Sequence, residues 1–237
     1  MTTPLRHQAR ASAHPAAAEV SIRRILLLAA LAILGVAAVA ALGLGVTRLG
    51  LLSGFDRSIS HGMNELHTGV LGGLATVIYS VLSPVPAVVI TAVITAVILA
   101  ATRRIRVAIT FAGVVAVTWL PSAGMKFLIH RARPDVSTLT HPVAHQPVDA
   151  SFPSGHMVFV VAVLVAFALL ARPGARRVLT VIAGSIFAVL VGLALVVDGV
   201  HYATDVFASV LWSVTVGPLV CALCARFILQ QGKPRTT

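Results

Sequence analysis

Six stretches of this chain are apolar for about the length a helix needs to cross a bilayer, roughly 20 residues. They run over residues 25–46, 86–101, 107–128, 157–171, 178–197 and 206–229. The second is short unless it extends into Thr102 or the bilayer thins around it. With 58% hydrophobic and only 11% charged residues, the chain reads as an integral membrane protein, all-α, a bundle of six transmembrane helices. A net charge of +11 raises the question of nucleic acid, but no basic patch with aromatics or a recognition helix accompanies it, so no nucleic-acid partner is expected. Cys221 and Cys224 lie at helical spacing in the last apolar stretch with no second pair to complete a metal site, and are read as packing residues.

Between the first two spans, residues 51–82 mix Phe55, Ile59, Met63, Leu66, Val70 and Leu74 with Asp56, Arg57, Asn64 and Glu65. Apolar residues recurring at steps of three and four predict an amphipathic helix on the membrane interface, shielding the flank of a site. Residues 1–24 are expected to be a disordered basic cytoplasmic tail, 25–230 the six-helix membrane domain, and 231–237 a second cytoplasmic tail. The first apolar run exceeds the usual 7–15 residues of a secretory signal, so a retained anchor is expected. With the amino terminus inside, thirteen of the eighteen Lys and Arg residues face the cytoplasm, as short retained loops require. The outer side keeps Arg48, Arg57, Lys126, Arg131 and Arg133, and both termini are cytoplasmic.

Three polar clusters then share the extracytoplasmic face: Lys126 with Arg131, Arg133 and Pro134; Pro153-Ser154-Gly155-His156; and His201 with Asp205. Polar side chains at span ends are costly and so point to a site. A phosphate ester needs positive groups around its oxygens, which Lys126 as a point charge and Arg133 as a bidentate fork supply. Ser154 and Gly155 open an apolar helix whose first N–H groups, with the serine hydroxyl, can cradle an anion. His156 and His201 can divide acid and nucleophile roles, and Asp205, four residues after His201, shares its helical face and can accept one ring N–H. Taken singly, each cluster has a plainer reading: headgroup anchors, a helix cap, and a buried pair satisfying itself. No metal or other cofactor is required by this chemistry, and no Asp/Glu/His cluster suggests a dinuclear site.

Together, Lys126-x6-Arg133-Pro134, Pro153-Ser154-Gly155-His156 and His201-x3-Asp205 resemble the type 2 phosphatidic acid phosphatase (PAP2) family, over roughly residues 55–208. The resemblance implies the PAP2 and vanadium haloperoxidase-like helical fold in its membrane branch. It also implies metal-independent hydrolysis of a phosphomonoester or pyrophosphate, with His201 attacking phosphorus to give a phosphohistidine and His156 protonating the leaving oxygen. The site's place at the membrane face suits a lipid phosphate substrate in the bilayer: phosphatidic acid, phosphatidylglycerol phosphate, or a polyprenyl phosphate or pyrophosphate. The loop over 135–152 borders the site and is expected to tune selection among them.

One departure matters. The family's third block begins Ser-Arg, six positions before the nucleophile for the arginine, and here these are Ala194 and Leu195. Losing a charged oxyanion partner typically costs about 10²–10³ in rate. The alternative reading is therefore a catalytically weakened relative that binds or carries a polyprenyl phosphate. Arg131 is the auxiliary candidate to fill the vacancy, with His130, His141 and His145 behind it. Asp198 adds a negative charge where phosphate would approach, unless it pairs with Arg131 or Lys126. A transporter would want charges within the spans or broken paired repeats, and neither is visible.

Overall fold

A computed structural model describes residues 21–144 and 146–229. The expected tails fall outside the described residues, apart from 21–24, where the first helix has already begun. Among the described residues there are nine α-helices and no strand. Five helical segments among the described residues are long and apolar enough to cross a membrane: Ile22–Arg48, Pro84–Thr102, Ile105–Ile129, Ala175–Val197 and Ala203–Leu229.

Helix α1 (Ile22–Arg48) starts where the Ser21 hydroxyl accepts the Arg24 N–H at 3.3 Å, satisfying one free donor of the first turn. The expected interfacial helix over 51–82 is instead two helices, α2 (Ser53–Asn64) and α3 (Gly69–Val81), parted by a turn. Gly69 takes φ +49°, and a Cβ on Gly72 would lie 2.8 Å from the His67 carbonyl carbon, so the turn is tight enough to require glycine. The buried residues of α2 are Asp56, Ser60 and Asn64, one polar stripe at steps of four, while Phe55 and Leu66 stay exposed. Periodicity had located a face; which face turns inward is decided by partners far along the chain.

Helix α4 (Pro84–Thr102) begins with proline at its first position, where a missing N–H costs nothing, and ends at Arg103 in the left-handed region, φ 54°. The third expected span is interrupted: α5 (Ile105–Trp119) and α6 (Ser122–Ile129) meet at Pro121, which cannot donate to the helix ladder. Helix α7 (Gly155–Leu170) is capped by Ser154, whose Oγ accepts the Met157 N–H at 3.4 Å. It runs through the bundle against α5, α8 (Ala175–Val197) and α9 (Ala203–Cys224), and α9 continues as a π turn to Leu229. Its Met157, Phe159, Val160 and Val161 join Phe111, Val114, Val191 and Leu195 in the largest core cluster.

Close packing of α1 on α9 depends on Gly35, where a Cβ would lie 2.2 Å from Thr215 Oγ1. Trp212 of α9 ties its indole N–H to the Thr118 carbonyl at 2.8 Å, fixing α9 against α5. The end of α6, the start of α7, the end of α8 and the start of α9 therefore meet at one end of the bundle. Every polar cluster of the sequence is carried there.

Candidate active site

The α8–α9 turn sets His201 with no exposed surface. Its Nε2 lies 3.3 Å from Arg133 Nη1, and its Nδ1 lies 3.5 Å from Asp205 Oδ2, an ion-pair distance longer than a formed hydrogen bond. With Arg133 as an obligate donor, Nε2 is the accepting nitrogen and the proton belongs on Nδ1, facing the carboxylate. Burial pushes the imidazole down to about 4 against the upward pull of Asp205, with Arg133 lowering it further, so the ring is neutral at neutral pH.

Asp205 sits in the first turn of α9. Its Oδ2 accepts the Tyr202 N–H at 2.9 Å, a capping contact, and its Oδ1 accepts Arg131 Nη1 at 2.6 Å. Ser154 is also joined to α9: Ser209 Oγ donates to the Ser154 carbonyl at 3.0 Å. His156, in the first turn of α7, turns its ring across that of His201, centroids 6.0 Å apart, with the Tyr79 ring of α3 tilted against it at 4.7 Å. His156 Nε2 is buried with no hydrogen-bond partner. An unpartnered ring nitrogen beside a second histidine is free to give or take a proton from a ligand.

Lys126 and Arg133 converge as expected, but on a carboxylate. Lys126 Nζ donates to Asp149 Oδ2 at 2.7 Å and to the Ala150 carbonyl, and Arg133 Nη2 donates to Asp149 Oδ1 at 2.7 Å. Arg133 is fixed further by Nη1 to the Val200 carbonyl at 2.7 Å and Nε to the Asp149 carbonyl at 3.1 Å. Partial burial opposes ionisation of Asp149, but the hydrogen bonds and charges of Lys126 and Arg133 outweigh it and hold the carboxyl at about 2. A cavity of about 710 Å³ opens beside these groups, touching Lys126, Arg133, Asp149, Gly155 and His156. Its other walls are mostly apolar: Val85, Val88 and Val89 of α4, with Trp119 and Leu120. A Cβ on Gly155 would meet nothing nearer than 3.9 Å, so this backbone borders open space.

Arg131 is placed differently. It does not line the cavity; Nη2 bonds Asp56 Oδ2 at 2.6 Å, Nη1 bonds Asp205 Oδ1 and Thr204 Oγ1 (2.7 Å), and its guanidinium lies 4.2 Å over the Tyr202 ring. Burial works against its charge, but Asp205 and Asp56 more than offset this and raise its pKa. Asp56 completes the ring by accepting from Thr204 N at 3.1 Å and Thr204 Oγ1 at 2.5 Å. Residue patterning missed Asp56 as part of the site, although the chain has only seven acidic residues and a buried one among them is itself a signal.

Leu195 is wholly buried in the apolar core beside Val200, and Ala194 packs with Ala75 and Val197, so the vacancy is filled by packing. Asp198 neither faces the cavity nor pairs with Arg131 or Lys126. Its Oδ1 accepts Thr76 Oγ1 at 2.8 Å and lies 3.0 Å from His67 Nε2, both brought by α3 and the turn before it, and burial raises its pKa. His130 is an exposed helix cap, and the His141 backbone is held by the Asn64 side chain. His145 lies outside the described residues. Among the described residues, no group of three His, Cys, Asp or Glu side chains is disposed to hold a metal ion.

No curated protein matches the chain. Among solved structures, a transmembrane PAP2-type phosphatidylglycerolphosphate phosphatase from Bacillus subtilis is similar with a TM-score of 0.67 and 23% identity, over 87% of this chain and 98% of that one, a likeness of fold. The sequence profile of the PAP2 superfamily matches residues 105–228, more than half of the 237. That stretch holds Lys126, Arg133, Ser154, Gly155, His156, His201 and Asp205, and the chain belongs to the PAP2 superfamily.

Proposed function

We propose that this protein is a membrane lipid phosphatase that hydrolyses a phosphomonoester or pyrophosphate at the extracytoplasmic face, without a metal. The observation that carries the reading is His201, its accepting Nε2 next to Arg133 and its Nδ1 facing Asp205, with the His156 ring 6.0 Å away. The apolar walls of the adjoining cavity favour a substrate with a hydrocarbon tail. Phosphatidic acid, phosphatidylglycerol phosphate and polyprenyl pyrophosphate all fit that description.

In the proposed reaction Lys126, Arg133 and the N–H groups at the Ser154-Gly155 helix start hold the phosphate oxygens. His201 Nε2 forms the bond to phosphorus as the bond to the leaving oxygen breaks, and His156 delivers a proton to that oxygen. Asp205 keeps the Nδ1 proton in place and stabilises the charge that develops on the ring. Water, giving its proton back to His156, then cleaves the phosphohistidine and releases phosphate. We read α1, α4, α5 with α6, α7, α8 and α9 as six spans with both termini cytoplasmic, α7 being one of the shorter apolar helices. The Lys and Arg distribution supports that orientation.

A second reading, a weakened relative that binds or carries a polyprenyl phosphate, is favoured by one observation: Leu195 stands sealed in the core where the family carries an arginine. Phosphate release by purified protein in detergent with chelator, across phosphatidic acid, phosphatidylglycerol phosphate and undecaprenyl pyrophosphate, separates the two. Release that vanishes in His201→Ala supports the phosphatase. No release above the variant on any of the lipids supports the carrier.

A further inference from the structure

Asp149 occupies the place an incoming anion needs. The two cations proposed to hold phosphate have both turned toward its carboxylate, one oxygen each, at 2.7 Å. This is the fork an oxyanion would receive, supplied by the chain's own loop. Most of the remaining donors are also engaged: Arg133 Nε and Nη1 on the Asp149 and Val200 carbonyls, and Lys126 on the Ala150 carbonyl, which leaves one N–H on Lys126 Nζ and one on Arg133 Nη2. A ligand can take the two paired hydrogen bonds of Lys126 and Arg133 only by displacing a carboxylate. Asp149 itself is half exposed while Arg133 is almost wholly buried, so the acid is the partner able to swing out and the arginine the one that stays. His201, in contact with that same Arg133, has no exposed surface in this arrangement.

We propose that Asp149 is a specificity-determining residue, an internal competitor that the substrate must outbid in charge, so that phosphomonoesters and pyrophosphates are accepted and the phosphodiester headgroups of ordinary bilayer lipids are refused. The proposal rests on the phosphatase reading of this site. A phosphodiester carries one negative charge, as the carboxylate does, and replaces a tethered ligand of equal charge by an untethered one. It gains nothing in charge and loses the advantage of the tether. A phosphomonoester carries about 1.5 to 2 negative charges at pH 7 and more accepting oxygens, so it alone profits from the exchange. The carboxyl, held at about 2, stays ionised throughout the physiological range, which makes the filter constant rather than switched by pH. If the carboxylate covers the cations nine-tenths of the time, apparent affinity for any competing anion is lowered about tenfold.

The test is anion binding to the full chain in detergent, by calorimetry, using inorganic phosphate and dimethyl phosphate as monoester-like and diester-like probes. Wild type, Asp149→Asn, Asp149→Ser and Lys126→Ala are compared, with thermal midpoints recorded to identify folded variants. The expected result is that both Asp149 variants bind phosphate about tenfold more tightly than wild type and acquire measurable dimethyl phosphate binding, while Lys126→Ala weakens phosphate. Two results overturn the proposal but leave the site intact: unchanged or weaker phosphate binding in both folded Asp149 variants with Lys126→Ala still harmful, or dimethyl phosphate bound as well by wild type. Phosphate binding insensitive to Lys126→Ala overturns the phosphatase reading of the site itself, and the proposal with it.

Discussion

Arg131 supports the candidate site from behind, without lining its cavity. Its guanidinium bridges Asp56 and Asp205, two buried carboxylates, and so fixes the acid that faces His201. Removing one partner of a buried ion pair leaves uncompensated charge and typically costs about 3–5 kcal/mol. Arg131→Leu is therefore expected to lower the thermal midpoint in detergent sharply, far more than Arg57→Leu on the exposed side of α2. At His201 the sign of the pH dependence follows from burial. An unfolded histidine takes its proton near 6.5 and the folded one only near 4, so the unfolded state binds more protons between those values. The contribution is fully present above pH 6.5 and is lost as pH falls through 4. His201→Ala should flatten this part of the stability profile, measured by denaturation between pH 7 and 4.5. Four-residue spacing brings Asp205 near His201, but not on a shared helical face: His201 lies in the α8–α9 turn ahead of α9, and its Nδ1 stands 3.5 Å from Asp205 Oδ2. The link to Asp56 was not legible in the sequence, because 75 residues separate it from Arg131 and 148 from Thr204, and no local pattern encodes contacts of that range.

At the scale of the element, the helix boundaries follow the expected apolar runs to within three residues, apart from the third and sixth spans. Pro121 divides the third, a break the residue type announces, and α9 continues as a π turn. The segment over 51–82 divides into two helices where one was expected, because an amphipathic repeat does not fix where a turn interrupts it. Such a repeat predicts two unlike faces without saying whether core or lipid receives the apolar one. In α2 the polar stripe is inward, where Asn64 Nδ2 donates to the carbonyls of His141 and Val197 at 3.0 Å each and Oδ1 accepts the His141 N–H at 2.8 Å. At the α1–α9 contact, Gly35→Leu would drive its side chain into Thr215. Overpacking of this kind costs about 1–3 kcal/mol, and a lower thermal midpoint with retained helical circular dichroism is the expected result. The third-block vacancy belongs to this scale too. Because Leu195 is part of the α8 core, Leu195→Arg should lower the midpoint in phosphate-free buffer, and added phosphate should restore it as the guanidinium gains a partner.

For the whole molecule, three blocks separated by tens of residues converge because the helices that carry them alternate in direction, so their ends fall together. That convergence was readable from order and spacing. The pairing of Lys126 and Arg133 with Asp149 was not, since the loop over 135–152 has no periodicity to read. The proposed orientation puts this loop outside, and Thr140, exposed within it, offers the check: Thr140→Cys should react with a membrane-impermeant thiol reagent in intact cells. Reaction only after permeabilisation would reverse the topology.

The length of α7 has a bearing on depth. Sixteen residues rise about 24 Å, against about 30 Å of hydrocarbon. In the proposed orientation Arg172, Arg176 and Arg177, which follow its far end, hold that end at the cytoplasmic interface. With α7 read as a span in that orientation, the shortfall of about 6 Å falls at His156, below the plane where headgroups float. On the proposed reading a lipid must sink to react, and the protein has to carry its water and its positive charge down to meet it.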